Sequence, residues 1–141
     1  MADLRSGCIL FDTTFKFKDK EIGEKLIVIL NNPLKGQPFL VCRTTSKEKS
    51  YRKKIPKGCQ QKGKYFFSER GDAYFKDDTW LQLDDIYEYN NVEMLRKKFK
   101  GTLQILENLN DNILRQIKNC INNESEDISQ EHLQMIVTTI I

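Results

Sequence analysis

The run Lys25-Leu26-Ile27-Val28-Ile29-Leu30 constrains the fold of this chain more than any other segment. Its apolar part shows no polar alternation, the pattern of a strand covered on both faces. Turn chemistry follows in Asn31-Asn32-Pro33 and Lys35-Gly36, and Phe39-Leu40-Val41-Cys42 then resumes the apolar pattern. Residues 25–43 therefore read as a hairpin-type antiparallel pair. In such a pair the start of one strand lies beside the end of the other. Lys25 is thereby placed next to Arg43, Thr44, Thr45 and Ser46.

Short strands surround this pair. Cys8-Ile9-Leu10-Phe11 precedes it, and Tyr65-Phe66-Phe67 and Thr79-Trp80-Leu81-Gln82-Leu83 follow, the last with Trp80 and Gln82 opposite Leu81 and Leu83. Ile86-Tyr87-Glu88-Tyr89 continues the pattern. Five or six short strands separated by polar, Gly- and Pro-containing loops predict a small β-barrel. The last third changes to helical spacing. Val92, Leu95 and Phe99 fit a short helix stopped by Gly101, and Thr102 to Leu106 fit a final strand. Asn110 or Asp111 caps a helix with Ile113, Leu114, Ile117, Cys120 and Ile121 on one stripe. Residues 122–125 read as a linker. Ser129 caps a last helix bearing Leu133, Ile136, Val137 and Ile140, with Ile128 and Leu133 as a hydrophobic staple. That stripe packs on its own protomer, on a dimer mate or on another partner. The class is mainly β with C-terminal helices (α+β), a small barrel plus two to three helices. Residues 1–122 form the barrel with its closing helix, and 123–141 a helical extension.

Charge is unevenly placed. Between Arg43 and Lys64 nine Lys or Arg face one acid, +8 in 22 residues, so the remainder must total −5 to give the chain's net +3. Such a concentration is offset by a polyanion or by solvent. Hydroxyls precede the stretch and Tyr65-Phe66-Phe67 follows it. Basic, hydroxyl and aromatic groups together suit a single-stranded RNA groove, and a solvated loop accounts for the charge equally well.

Other classes are excluded or disfavoured. No run approaches a membrane span, and the N-terminal residues carry no secretory signal. Cys8, Cys42, Cys59 and Cys120 show no CxxC spacing, and His132 is the only histidine, which argues against a zinc site and a two-histidine nuclease. Scattered cysteines of this kind predict reduced thiols and a cytoplasmic location. Asp77-Asp78 reads as a turn and Asp84-Asp85 as a strand end. Neighbouring acids on a strand point to opposite faces, so neither pair is a good acid/base dyad. Glycine-rich phosphate loops are missing. RNA cleavage by its own 2′-hydroxyl remains. It needs no metal or cofactor, only groups that orient the phosphate, stabilise the dianionic transition state and relay protons. Lys25, Arg43, Thr44, Thr45 and Ser46 are the candidates.

The ordered elements resemble the MazF/PemK (plasmid maintenance toxin) family of mRNA interferases. The similarity lies in ILFD after Gly7, a loop ending Gly23-Glu24-Lys25, LIVILN, FLVCRTTS, TWLQLDDIYEY and KFKGTLQILENLNDNILRQIKNCI, over roughly residues 6–122. The resemblance implies an SH3-like barrel, a homodimer, an antitoxin protein over the RNA groove, and metal-independent cleavage of single-stranded RNA within a toxin–antitoxin system. It carries the family threonine onto Thr45 and the family arginine onto Lys25, with Arg43 as a substitute cation. Lysine keeps the charge but lacks the planar fork that grips a phosphorane. The expected catalytic set is Lys25, Arg43 and Thr45, with Ser46, Lys47, Lys49, Arg52, Lys53 and Lys54 gripping RNA. The alternatives are a non-catalytic nucleic-acid-binding barrel and a protein-interaction barrel.

Overall fold

In a computed structural model the described residues are 4–46, 58–60, 64–68, 75, 77–124 and 128–137. The strands are β1 (Cys8–Lys16), β2 (Ile22–Ile29), β3 (Phe39–Thr45), β4 (Gly58–Gln60), β5 (Tyr65–Ser68), β6 (Thr79–Tyr89) and β7 (Leu103–Asn108). The helices are α1 (Asn91–Lys100), α2 (Asp111–Glu124) and α3 (Gln130–Val137). All the strand pairs are antiparallel, in the order β4-β5-β6-β3-β2-β1-β7. The α+β class holds. The expected barrel does not close: no ladder joins β4 to β7 among the described residues, and the sheet is open. One edge, β4, is only three residues long, which limits its use as a template for another strand.

Two-sided burial replaces closure. Ile27, Val28, Ile29 and Leu30 are all inaccessible, as the unbroken run predicts. On one face Val28, Leu40, Cys42, Leu81 and Leu83 pack with Ile117, Cys120 and Ile121 of α2 and with Met135 and Ile136 of α3. On the other, Leu10, Ile27, Ile29, Val41 and Tyr89 pack with Met94 of α1. The last helix thus shares the core of its own chain. The β2–β3 connection is closed by buried Asn31, whose amide donates to Pro38 O (3.1 Å) and whose carbonyl accepts from Leu40 N (2.7 Å).

Local signals are borne out at several ends. Asn90 accepts from Glu93 N, and Gly101 ends α1 in the left-handed region at φ 79°. Asn110 accepts from Ile113 N and Ser129 from His132 N. Two readings are corrected. Residues 122–124 continue α2 instead of forming a linker, and Asp84-Asp85 lies inside one continuous strand, β6. His132 is tied to Glu88 of β6 at 2.6 Å.

Cys8 and Cys42 are buried outside any disulfide, but Cys59 of β4 and Cys120 of α2 form one, against the expectation of four reduced thiols. The bridge spans a sequence separation of 61, for which loss of unfolded-chain entropy gives about 4 kcal/mol. Reduction, or Cys120→Ser, should lower the unfolding free energy by about 2–4 kcal/mol in denaturant titrations. Equal stability of the oxidised and reduced protein would refute the bridge.

Asp12 anchors α1. Fully buried, it accepts from Tyr89 Oη (2.5 Å), Lys97 Nζ (2.7 Å), and Thr14 N and Oγ1 (2.9 and 3.2 Å). Lys97 also donates to Thr14 O at 3.0 Å. Burial, and then the bond to Asp12, push the Tyr89 phenol well above its ordinary range. Removing one member of such a set strands the others. Asp12→Ala should therefore cost about 3–5 kcal/mol in equilibrium unfolding.

Candidate functional site

The β2–β3 register decides what can meet at the end of this pair. Its ladder runs Ile29↔Val41, Val28↔Cys42, Ile27↔Arg43. Two residues further in each direction lie Lys25 and Thr45, brought to one end of the pair as the hairpin reading predicts. Between them the Thr44 hydroxyl donates to the Leu26 carbonyl at 2.9 Å, so this buried threonine is occupied in holding the strands together.

A groove of about 620 Å³ opens here. Lys25, Thr44, Thr45 and Ser46 line it from β2 and β3, with Glu24 beside them. Leu26, Phe75 and Leu106 contribute apolar surface and belong to or pack on the first core cluster. Asp77, Thr79 and Gln104 complete the polar wall. The carboxylates Glu24 and Asp77 and the amide Gln104 are members that no local pattern marks. Glu24 is the chain neighbour of Lys25 on β2, whereas Gln104 arrives because β1 pairs with both β2 and β7, and Asp77 because it precedes β6, which lies against β3.

Arg43 is held elsewhere. It pairs with Ile27, on the α1 side of the sheet, and does not line the groove. Its Nη2 binds Asp85 Oδ2 at 2.6 Å, and Lys18 binds the other oxygen of the same carboxylate at 2.5 Å. The guanidinium lies 5.7 Å from the Phe17 ring centroid and 5.8 Å from that of Tyr87. Desolvation raises the Tyr87 phenol, an effect partly countered by the Arg43 charge. Arg43 Nε is buried without a hydrogen-bond partner. Such an ion pair, shared with a second cation and two rings, restrains the arginine where it is.

The structure therefore brings together Lys25, Thr45 and Ser46 and separates Arg43 from them. Lys47, Lys49, Arg52, Lys53 and Lys54 lie outside the described residues. The groove's donor set can orient an anionic or polar ligand through one ammonium and two hydroxyls, and its carboxylates can move protons. It holds no thiol nucleophile. Cys42, in the core cluster beneath the groove, has its thiol pushed up to about 12 by burial. No family model matches the chain, and no curated protein matches it at a significant level.

The Cys42 shift has a definite sign. The unfolded thiol ionises near 9.0 while the folded one keeps its proton to about 12, so this residue lowers stability as pH rises through that window and contributes no slope below it. In denaturant titrations, Cys42→Val should show a shallower stability loss between those pH values than the parent protein. Parallel curves would contradict the assignment.

Proposed function

We propose that the groove at the β2–β3 end binds single-stranded RNA and positions a phosphodiester for metal-independent cleavage by the adjacent 2′-hydroxyl. One observation carries the reading: Lys25, Thr45 and Ser46, distant in sequence, line the same groove. In the proposed reaction Lys25 stabilises the charge that develops on the non-bridging oxygens, and Thr45 and Ser46 orient the phosphate. Glu24 or Asp77 accepts the 2′-hydroxyl proton. The 2′-oxygen attacks phosphorus, the 5′-oxygen leaves with a proton, and a cyclic phosphate remains. The basic stretch, most of which lies outside the described residues, supplies the charge that gathers the polyanion.

The biological setting rests on the resemblance to MazF/PemK toxins. On that reading the open sheet is an unclosed variant of an SH3-like barrel, and the protein acts in the cytoplasm as a homodimer restrained by an antitoxin protein. In a reducing compartment the Cys59–Cys120 bond is under pressure to open, which makes redox state a variable of the assay. A second reading, an RNA-binding or protein-interaction module without catalysis, is favoured by the engagement of Arg43 with Asp85. That pairing leaves lysine as the only cation lining the groove from the catalytic set proposed above.

Purified protein, oxidised and reduced, should cleave a long single-stranded RNA in EDTA. Thr45→Ala and Lys25→Ala should each slow cleavage about 100-fold, the usual cost of losing one preorganised transition-state contact. Cleavage unaltered in both variants would remove this site from consideration. Salt-sensitive binding without cleavage supports the binding module, and no binding even at low salt leaves protein interaction.

A further inference from the structure

Helix α1 turns an apolar ridge away from the protein. Its inner face is fixed by buried Met94 and by Lys97 on Asp12, and both of its ends are capped, so its rotation is set. Opposite that face Val92, Leu95 and Phe99 are 65%, 60% and 93% exposed. They stand at i, i+3 and i+7, one stripe about 10 Å long over two turns. An exposed phenylalanine forgoes the burial free energy that a core position would give it. Three such side chains in a row on a rigid helix form an open apolar seat rather than scattered surface residues.

The rim of the seat identifies what fits it. Arg96 and Lys98 line the same surface, and Lys100 ends the helix. The helix's one acid, Glu93, lies in its first turn and does not line the seat. We propose that α1 docks an acidic amphipathic helix of another protein, its apolar stripe on Val92, Leu95 and Phe99 and its carboxylates against Arg96 and Lys98. The ridge shares no residue with the groove, and this assignment is independent of RNA cleavage. A second copy of the chain fits less well. A two-fold pairing of the ridges centres between Leu95 and Arg96 and sets the two Arg96 side chains against each other. A lipid surface rewards a broad apolar face, whereas this one is a single stripe with cations on its flanks. The stripe spacing matches a partner helix.

The test uses the full chain and a fluorescein-labelled helical peptide with leucines on one stripe and glutamates beside it. Fluorescence anisotropy should show binding that weakens with added salt. Phe99→Ala and Leu95→Ala should each weaken it about tenfold or more. Both residues are exposed, so unfolding curves should match the parent's. The double variant Arg96→Glu/Lys98→Glu should prefer the same peptide with lysine in place of glutamate. Equal binding of the two peptides by the parent protein, or normal binding by Phe99→Ala, overturns the proposal. So does a concentration-dependent dimer in sedimentation that Phe99→Ala abolishes, since the seat is then filled by a second copy. Adsorption to phosphatidylcholine–phosphatidylserine vesicles, lost in Phe99→Ala and without peptide binding, overturns it in favour of a lipid surface.

Discussion

The pairing of β2 with β3 is held by burial on both sides, and most of what is distinctive in this protein follows from that. When both faces of a strand are covered, a slip by one residue cannot merely exchange a wet face for a dry one. It moves every side chain into a differently shaped core. Val28 and Cys42 belong to the cluster under α2 and α3, while Ile27 and Val41 belong to the cluster under α1. The same fixed register carries Lys25 and Thr45 to one end of the pair and sends Arg43 to the α1 side.

Polar and covalent ties connect this sheet to its helices. Asp12 joins β1 to Tyr89 of β6 and Lys97 of α1, 77 and 85 residues away in the chain. A buried carboxylate is tolerated only because each of its oxygens is satisfied. The disulfide does the corresponding work on the other side, joining the short edge strand β4 to α2. Not every buried polar atom is so provided for. Among the described residues Arg43 Nε, Ser68 Oγ and Trp80 Nε1 lack partners, and Thr45 pairs in register with Trp80. Unpaired donors are a local cost, and here two of the three lie on or beside the strand that carries the candidate site.

Much of this was legible in the residues. The unbroken run at 26–30, the turn residues after it and the apolar run at 39–42 led directly to the hairpin, and antiparallel geometry led to Lys25 beside Thr45. The stop at Gly101 and the caps at Asn110 and Ser129 were equally readable, because capping is chemistry between near neighbours. What escaped depends on contacts between distant segments. Asp84-Asp85 looks like a strand end because two acids seldom interrupt one, yet Arg43 and Lys18 neutralise Asp85 within β6. Cys59 and Cys120 meet only once β4 has added to β5 and α2 has crossed the sheet, so their spacing carries no signature. Gln104 and Asp77 enter the groove through the non-sequential strand order. Strand alternation did not reveal the placement of Arg43: Arg43 and Thr45 are two residues apart, as are Ile27 and Lys25, and only the pairing of Arg43 with Asp85 of β6 sets it apart.

The charge inside the groove bears on how an RNA groove would have to operate. Lys25 lines it together with Glu24 and Asp77, so the lining itself supplies little net attraction for a polyanion. Attraction on the proposed reading must come from the lysines and arginines between residues 43 and 64, where the excess is +8. This divides the work. On that reading diffuse, salt-sensitive capture belongs to the basic stretch, and orientation of one phosphate belongs to Lys25, Thr45 and Ser46. Acids near the reacting centre oppose ground-state binding of a phosphodiester, but they can also take its 2′-hydroxyl proton. On the proposed reading, a groove of mixed charge in a chain with a strongly basic stretch suits a site where long-range attraction and local chemistry are carried by different residues.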